Sequence, residues 1–522
     1  MSRIPRRSAV GPLGRRSALG LIGLGAAAGV TSAVAEALPG ARSRMAGRAV
    51  AAPAPERGGA AAGSPARDLV PAENALPGTA GWAPRPGPAV DDHRRQIQGY
   101  ASRTSVAGGE TVAFHVAVSP ADRYTVEILR LGHYAGRGAR RVASSGSLRG
   151  VPRPVPPAAG RTGLLRCRWP VSWEWEVPAG CLSGAYLARF RTAAGWTAYH
   201  PFVVRDGRAA DFCAVLPTST YQAYNQWPRD RRHGRSLYFG YDSLGALDHG
   251  LRARKVSYDR PYPGVGFPSR FDTDLAAIDF LERSGYDVTY AASEDLHAGR
   301  VRPDRYRGLV FLGHDEYWSE VMRDRAAAAV ATGVHLAYLT ANNVYWNVRF
   351  EASPDGVPDR VLTCYKSSVD PHVARGGAAT SRWRAGRPGP GRPEQELLGV
   401  MYSGIVQGSW PLVVAHHDHW FWADTGVRDG DRIPRVVRGE ADSFYPYLGA
   451  PEGEHTLLSQ SRYLTREGRR RTQHTCLREL PHGPLVFTAA TLDWPLVLST
   501  PGHRDRRIVH ATRNVFDRMR AT

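Results

Sequence analysis

The sequence predicts an α/β protein in which an immunoglobulin-like β-sandwich, residues 71–206, precedes a doubly wound α/β domain with extra β elements, residues 207–522. Three observations carry this. Residues 71–205 hold short alternating strands punctuated by turns, with no helical run. Beyond about 209, apolar strand runs alternate with stretches of helical spacing, the grammar of a parallel sheet with crossover helices. A chain of 522 residues, 42% of them apolar, also suffices for two or three domains with cores of their own.

In chain order, residues 1–35 read as an export leader. Arg15-Arg16-Ser17-Ala18-Leu19 is a twin-arginine pair followed by a leucine, and Ala33-Val34-Ala35 offers small-residue cleavage after a Gly- and Ala-rich run. The expected location is secreted or cell-surface, with an uncleaved leader as the sole link to a membrane. Residues 36–70, rich in Ala, Gly, Pro and Arg, are expected to form a disordered tether. Antiparallel strands are expected at 111–118, 124–131, 184–190 and 197–204. In the second part, strands are expected at 212–217, 286–290, 309–313 and 335–340, with helices over 272–284 and 319–332. Mixed strands follow, clearest at 413–422 and 485–491, and the Gly/Pro/Arg-rich stretch 375–393 reads as a surface loop.

The net charge is +20, yet only Lys255 and Lys366 are lysines among 68 basic residues. The arginines are scattered and form no basic helix, so the excess reads as compositional bias and no nucleic-acid partner is expected. The five cysteines lack CxxC spacing. Cys167 and Cys181 flank a strand-like segment and are a candidate disulfide, with buried free thiols as the alternative.

Ligands of open parallel sheets bind outside the carboxyl ends of the strands. The segments 218–225, 314–318 and 341–346 are therefore the first suspects. The sharpest is Gly313-His314-Asp315-Glu316-Tyr317-Trp318-Ser319, with Ser319 placed to cap the next helix. A capping turn with packed aromatics would look the same. A glutamine-amidotransferase-like domain would carry Gly-x-Cys-x-Gly at this elbow and a hydrolase Gly-x-Ser-x-Gly; neither nucleophile is present. His416-His417-Asp418-His419 has the composition of a metal cluster, but strand alternation would split it between two faces. Gly439-Glu440-Ala441-Asp442 reads as a loop.

His314-Asp315-Glu316-Tyr317-Trp318 after a strand resembles the hallmark of the N,N-dimethylformamidase large-subunit-like family, in its C-terminal domain. Glu73-Asn74-Ala75-Leu76-Pro77-Gly78, Tyr221-Gln222-Ala223-Tyr224-Asn225, Val256 to Tyr262, Arg392-Pro393-Glu394 and Val486 to Thr491 fit the same family. The resemblance implies hydrolysis of a small N-alkylated amide, a mononuclear ferric iron held by two tyrosines and one glutamate, and a small partner subunit that this chain does not encode. It implies Tyr317 and Glu394 as metal ligands, with Glu396 second to Glu394. The second tyrosine has no evident place: the helix that would carry it reads Leu275-Ala276-Ala277-Ile278, and Tyr258 and Tyr290 are the nearest substitutes.

Hard oxygen donors suit ferric iron. His314 or Glu316 would handle protons, and Asn342, with Asn343, would orient the substrate or a developing oxyanion. The expected function is thus an exported, metal-dependent hydrolase of a small-molecule amide, with a homo-oligomer left open. The alternatives are a non-catalytic secreted or cell-surface binding protein that keeps the fold without the metal, and hydrolysis of another bond by the same strand-end site.

Overall fold

The computed structural model describes residues 68–84, 89–449 and 451–522. The expected leader and nearly all of the expected tether lie outside them. At the tether's end, Leu69 and Val70 already begin a short helix, Leu69–Asn74, because Val70 is buried.

Two sheets follow. One orders Ile97–Ala101, Thr111–Val118 and Trp173–Glu176; the other orders Ser105–Ala107, Thr197–Arg205, Gly184–Thr192, Asp122–Leu131 and Ala139–Ser144. Alternation sends Val112, Phe114 and Val116 inward, where they share one core with Val126, Ile128, Phe190 and Phe202 of the other sheet. The antiparallel expectation fails at one edge, where Ser105–Ala107 runs parallel to Thr197–Arg205.

The second part centres on a seven-stranded sheet. Its order is Val288–Ala292, Ala210–Leu216, Tyr306–Phe311, His335–Tyr338, Leu485–Thr488, Cys476–Glu479 and Glu454–Leu457. The first five are parallel and the last two antiparallel. In chain order the parallel strands run 2-1-3-4-5, so the winding reverses between Ala210–Leu216 and Tyr306–Phe311. Strand residues alternate between two helical layers. Phe212, Ala214, Val310 and Ala337 pack on Phe271–Arg283 and Arg506–Ala521. Cys213, Val215, Phe311 and Tyr338 pack on Ser293–Ala298 and Glu320–Ala331. Ser319 caps the latter helix as expected, its hydroxyl accepting from the Met322 N–H.

Two expectations are corrected. The strand expected over 413–422 is Met401–Val413. It stops because His416 turns to a φ of 54° and Trp420–Trp422 forms a 3₁₀ turn, so the His416–His419 run is a turn and not a strand. Conversely, Gly439 to Asp442 lie inside the strand Arg432–Ser443, paired antiparallel to Met401–Val413. The helix Arg506–Ala521 is an addition: its stripe of Ile508, Val515, Phe516 and Met519 is interleaved with arginines.

A buried ion pair joins the two parts. Arg130, on the strand Asp122–Leu131, donates to both oxygens of Glu282 on the helix Phe271–Arg283, at 3.0 and 2.9 Å. Tyr290 and Asn74 complete the carboxylate's shell, donating at 2.9 and 2.8 Å. The Glu73-Asn74 segment thereby acts as a staple, because Glu73 also accepts from Arg140 and Tyr134.

Candidate functional site

The site forms at the winding reversal, as expected for an open parallel sheet. The helix Thr218–Tyr224, starting after the strand Ala210–Leu216, ends on Tyr224. After Tyr306–Phe311 the chain turns through Gly313 at a φ of 54°, where a Cβ would collide with the Asp274 carboxyl, so only glycine serves. His314 and Glu316 follow. After His335–Tyr338, Asn342 and Val344 both take a φ of 56°. That strained turn is stitched to the His314 segment by Val344 N–H to Asp315 O at 2.9 Å, and by Tyr345 and Trp346 N–H to Glu316 O at 2.8 and 2.9 Å. All three segments singled out in the sequence therefore converge.

At the centre, Tyr224 Oη donates to Glu316 Oε2 at 2.7 Å and lies 2.9 Å from Tyr238 Oη. Tyr238 Oη donates to Glu316 Oε2 at 3.0 Å and lies 2.9 Å from Oε1. Three oxygens thus form a triangle with edges of 2.7, 2.9 and 3.0 Å. The two phenol rings stack with centroids 4.5 Å apart. His314 Nε2 lies 3.3 Å from Glu316 Oε2 and 3.8 Å from Glu440 Oε2. Asn342 Nδ2 donates to Glu440 Oε2 at 2.9 Å, and Asn342 Oδ1 and His314 Nδ1 have no hydrogen-bond partner among the described residues. One of the two Asn342 side-chain N–H groups is thereby engaged by a carboxylate, and the other is the one left for the orienting role expected of it.

The charges follow from burial and proximity. Burial pushes the His314 imidazole down, but the Glu440 and Glu316 carboxylates more than reverse this and raise it to about 9. Burial pushes Glu316 up, and His314, Lys366 and the Tyr224 phenol outweigh it, leaving the carboxyl below its ordinary value. Burial, with repulsion from Glu316, raises Glu440. Burial likewise holds Tyr224 and Tyr238 well above the ordinary phenol range, so both keep their protons unless a cation displaces them.

The two expected metal ligands do not share a partner. Tyr317 Oη accepts from Lys366 Nζ at 2.7 Å, and Glu394 is clasped by the Arg384 guanidinium at 3.1 and 2.9 Å. Glu396 is engaged by Arg323. The substitutes for the second tyrosine are also elsewhere: Tyr290 bonds Glu282, and Tyr258 lies beside Glu294. Among the described residues no group of three or more His, Cys, Asp or Glu side chains gathers as a metal cage. The histidine run is dispersed, with His417 on Asp429 and His419 beside Glu479.

Tyr238 and Lys366 escape the sequence reading, and Glu440 enters it only as part of an expected loop. Tyr238 sits in irregular chain, where no periodicity marks it; its N–H is held by Ser236 Oγ, and Leu237 N–H by Ala223 O. Lys366 had a signal, being one of two lysines. Its ammonium lies 3.4 Å from the Tyr238 ring centroid and 4.3 Å from that of Trp346, and burial pushes it down to about 8.

Fold and site define an α/β protein with a buried phenol–carboxylate–imidazole centre at the strand ends. The family described as N,N-dimethylformamidase beta subunit-like, C-terminal, matches residues 125–507. The chain belongs to that family. It is similar to the N,N-dimethylformamidase beta subunit of Alcaligenes sp, 27% identical over 420 residues, covering 68% of this chain and 54% of the relative. The N,N-dimethylformamidase beta subunit of Paracoccus aminophilus is 27% identical over 417 residues, covering 67% and 54%. The chain thus spans about half the length of these curated relatives. A solved Paenibacillus sp. cycloisomaltooligosaccharide glucanotransferase aligns over 52% of this chain and 41% of its own at 13% identity. Its TM-score of 0.16 carries no argument.

Proposed function

We propose that the protein is a metal-dependent hydrolase of a small amide C–N bond, with Tyr224, Tyr238 and Glu316 as the residues that would hold a hard cation such as ferric iron. The observation that carries this is the oxygen triangle. Neighbouring ligands of an octahedral cation with bonds near 2.0 Å lie about 2.8 Å apart, close to its edges. Two phenols and a carboxylate are also the donor set that the family resemblance implies, on residues other than Tyr317 and Glu394. A bound cation of this kind would polarise the substrate carbonyl and acidify a water.

The chain's own groups supply the rest. His314 carries a proton at neutral pH and holds it at Nε2 between Glu316 and Glu440, where it serves as an acid for a departing amine. Glu440 would take up the proton that the attacking water loses and pass it to His314 to replace the one given to the amine, and Asn342 fixes the Glu440 orientation. The surrounding rings of Tyr224, Tyr238, Tyr317 and Trp346 exclude bulk water, which strengthens these charges.

Several wider readings belong with this proposal. The two-sheet unit over 71–206 is taken as immunoglobulin-like on its shared core, and the 207–522 unit as glutamine-amidotransferase-like on its parallel order. The Arg15-Arg16 leader supports export by the twin-arginine route. The beta-subunit names of the relatives support assembly with another chain.

The test is metal analysis with a visible spectrum of leader-free protein. Near-stoichiometric iron with a tyrosinate-to-iron band, lost in Tyr224→Phe and Tyr238→Phe and retained in Tyr317→Phe, is the expected result. Loss in Tyr317→Phe alone would return the ligand role to Tyr317. Colourless, folded, metal-free protein would overturn the hydrolase and leave a binding protein.

A further inference from the structure

Asn342 is gripped twice from one strand. Glu440 and Asp442 are separated by a single residue on Arg432–Ser443, so both side chains leave the same face. Glu440 takes the Asn342 side chain, while Asp442 Oδ1 accepts the Asn342 backbone N–H at 2.8 Å. The strand cannot slide, because Asp442 is in register with Tyr402, Glu440 with Ile405, and Ala441 bridges Thr491. Asp442 is fully buried, and its other oxygen has no hydrogen-bond partner among the described residues. Burying a carboxyl group for one N–H is not explained by stability alone. The N–H it holds belongs to a non-glycine residue in the left-handed region, which asparagine tolerates better than most but does not prefer.

We propose that Asp442 is a positioning residue: by holding the Asn342 backbone in its left-handed turn, it aims the Asn342 amide at Glu440 and so orients the carboxylate facing His314. The purpose of the clamp rests on the hydrolase reading, but the geometry and its test do not. Loss of Asp442 releases the turn, swings the amide away and leaves Glu440 free to rotate. Asp442→Asn keeps an acceptor oxygen in place and preserves the turn.

The chain has six asparagines, so selective ¹⁵N-asparagine labelling of the full protein, stripped of iron by chelation, resolves the Asn342 side-chain amide directly. It is assigned as the resonance missing from Asn342→Gly and shifted in Glu440→Gln. In Asp442→Ala this amide should lose its hydrogen-bonded shift and exchange about tenfold faster with solvent, whereas Asp442→Asn should resemble the wild type. An unmoved amide in folded Asp442→Ala overturns the proposal, as does Asp442→Asn behaving like Asp442→Ala. Should Asp442→Ala fail to fold, the Asn342→Gly/Asp442→Ala double variant must fold, because glycine needs no clamp to hold a positive φ. Failure of that rescue overturns the proposal as well. No substrate enters the measurement, so an absence of amidase activity would not alter its result.

Discussion

Removing the Glu282 side chain should cost the protein about 4 kcal/mol, because it strands a guanidinium in the joint between the two sheet systems. Arg130 and Glu282 have side-chain exposures of 1% and 0%. With charge centres about 4 Å apart and an effective dielectric near 20, the pair is worth about 4 kcal/mol, in line with the 3–5 kcal/mol seen when one partner of a buried pair is removed. Glu282→Ala also releases Tyr290 and Asn74, whose lost hydrogen bonds to the carboxylate are already part of that removal cost of about 3–5 kcal/mol. Urea unfolding of Glu282→Ala should therefore show a large fall in midpoint at nearly constant slope. The double variant Arg130→Met/Glu282→Met should recover most of the loss, since neither charge then needs solvation. A single-variant cost below about 1 kcal/mol, or a double variant no better than the single, would refute the argument that the carboxylate is needed to hold this charge.

Two further outcomes concern groups outside the triangle. Burial pushes His200 down to about 3, and His335 and His474 down to about 4, so all three fold as neutral rings and must be protonated on acid unfolding. Depressed folded values mean that their contribution is present above pH 6.5 and lost as pH falls towards 4, by up to about 3 kcal/mol each. Urea midpoints flat between pH 6.5 and 4 would contradict this. For the thiols, all five cysteines are free, and burial pushes Cys213, Cys364 and Cys476 up to about 12. A thiol reagent at pH 8 should find the three unreactive in folded protein and titrate five equivalents after unfolding without reductant; three equivalents would mean that Cys167 and Cys181 are bridged.

Much of the architecture is legible in the sequence because it rests on periodicity. The strand Thr111–Val118 matches its expected range at both ends, and Phe271–Arg283 and Glu320–Ala331 match to within a residue or two, since alternation and helical spacing are local properties of the chain. The errors share a cause. Val413 to Trp422 is apolar enough for a strand, but a positive φ at His416 breaks it, and nothing in the residue names announces that. Glu440 and Asp442 look like loop chemistry because glycines precede them, whereas pairing with Met401–Val413 makes them strand. Arg506–Ala521 is hidden by the arginines that fill its solvent face.

For the site, the order of strands and helices along the chain settles which strand ends meet. Parallel strands with short connections leave their carboxyl ends at one crevice, so Tyr224, His314, Glu316 and Asn342 were bound to neighbour one another. Only the tertiary structure decided the partners. Tyr317 and Glu394 carry the expected functional groups, yet each is matched with a cation, Lys366 or Arg384, brought from elsewhere in the chain. Tyr238 and Glu440 enter the centre from an irregular segment and from a strand 124 positions beyond Glu316. Periodicity reaches only a few residues along the chain, whereas a carboxylate's neighbours are set by which distant backbone segments pack within hydrogen-bonding distance of it.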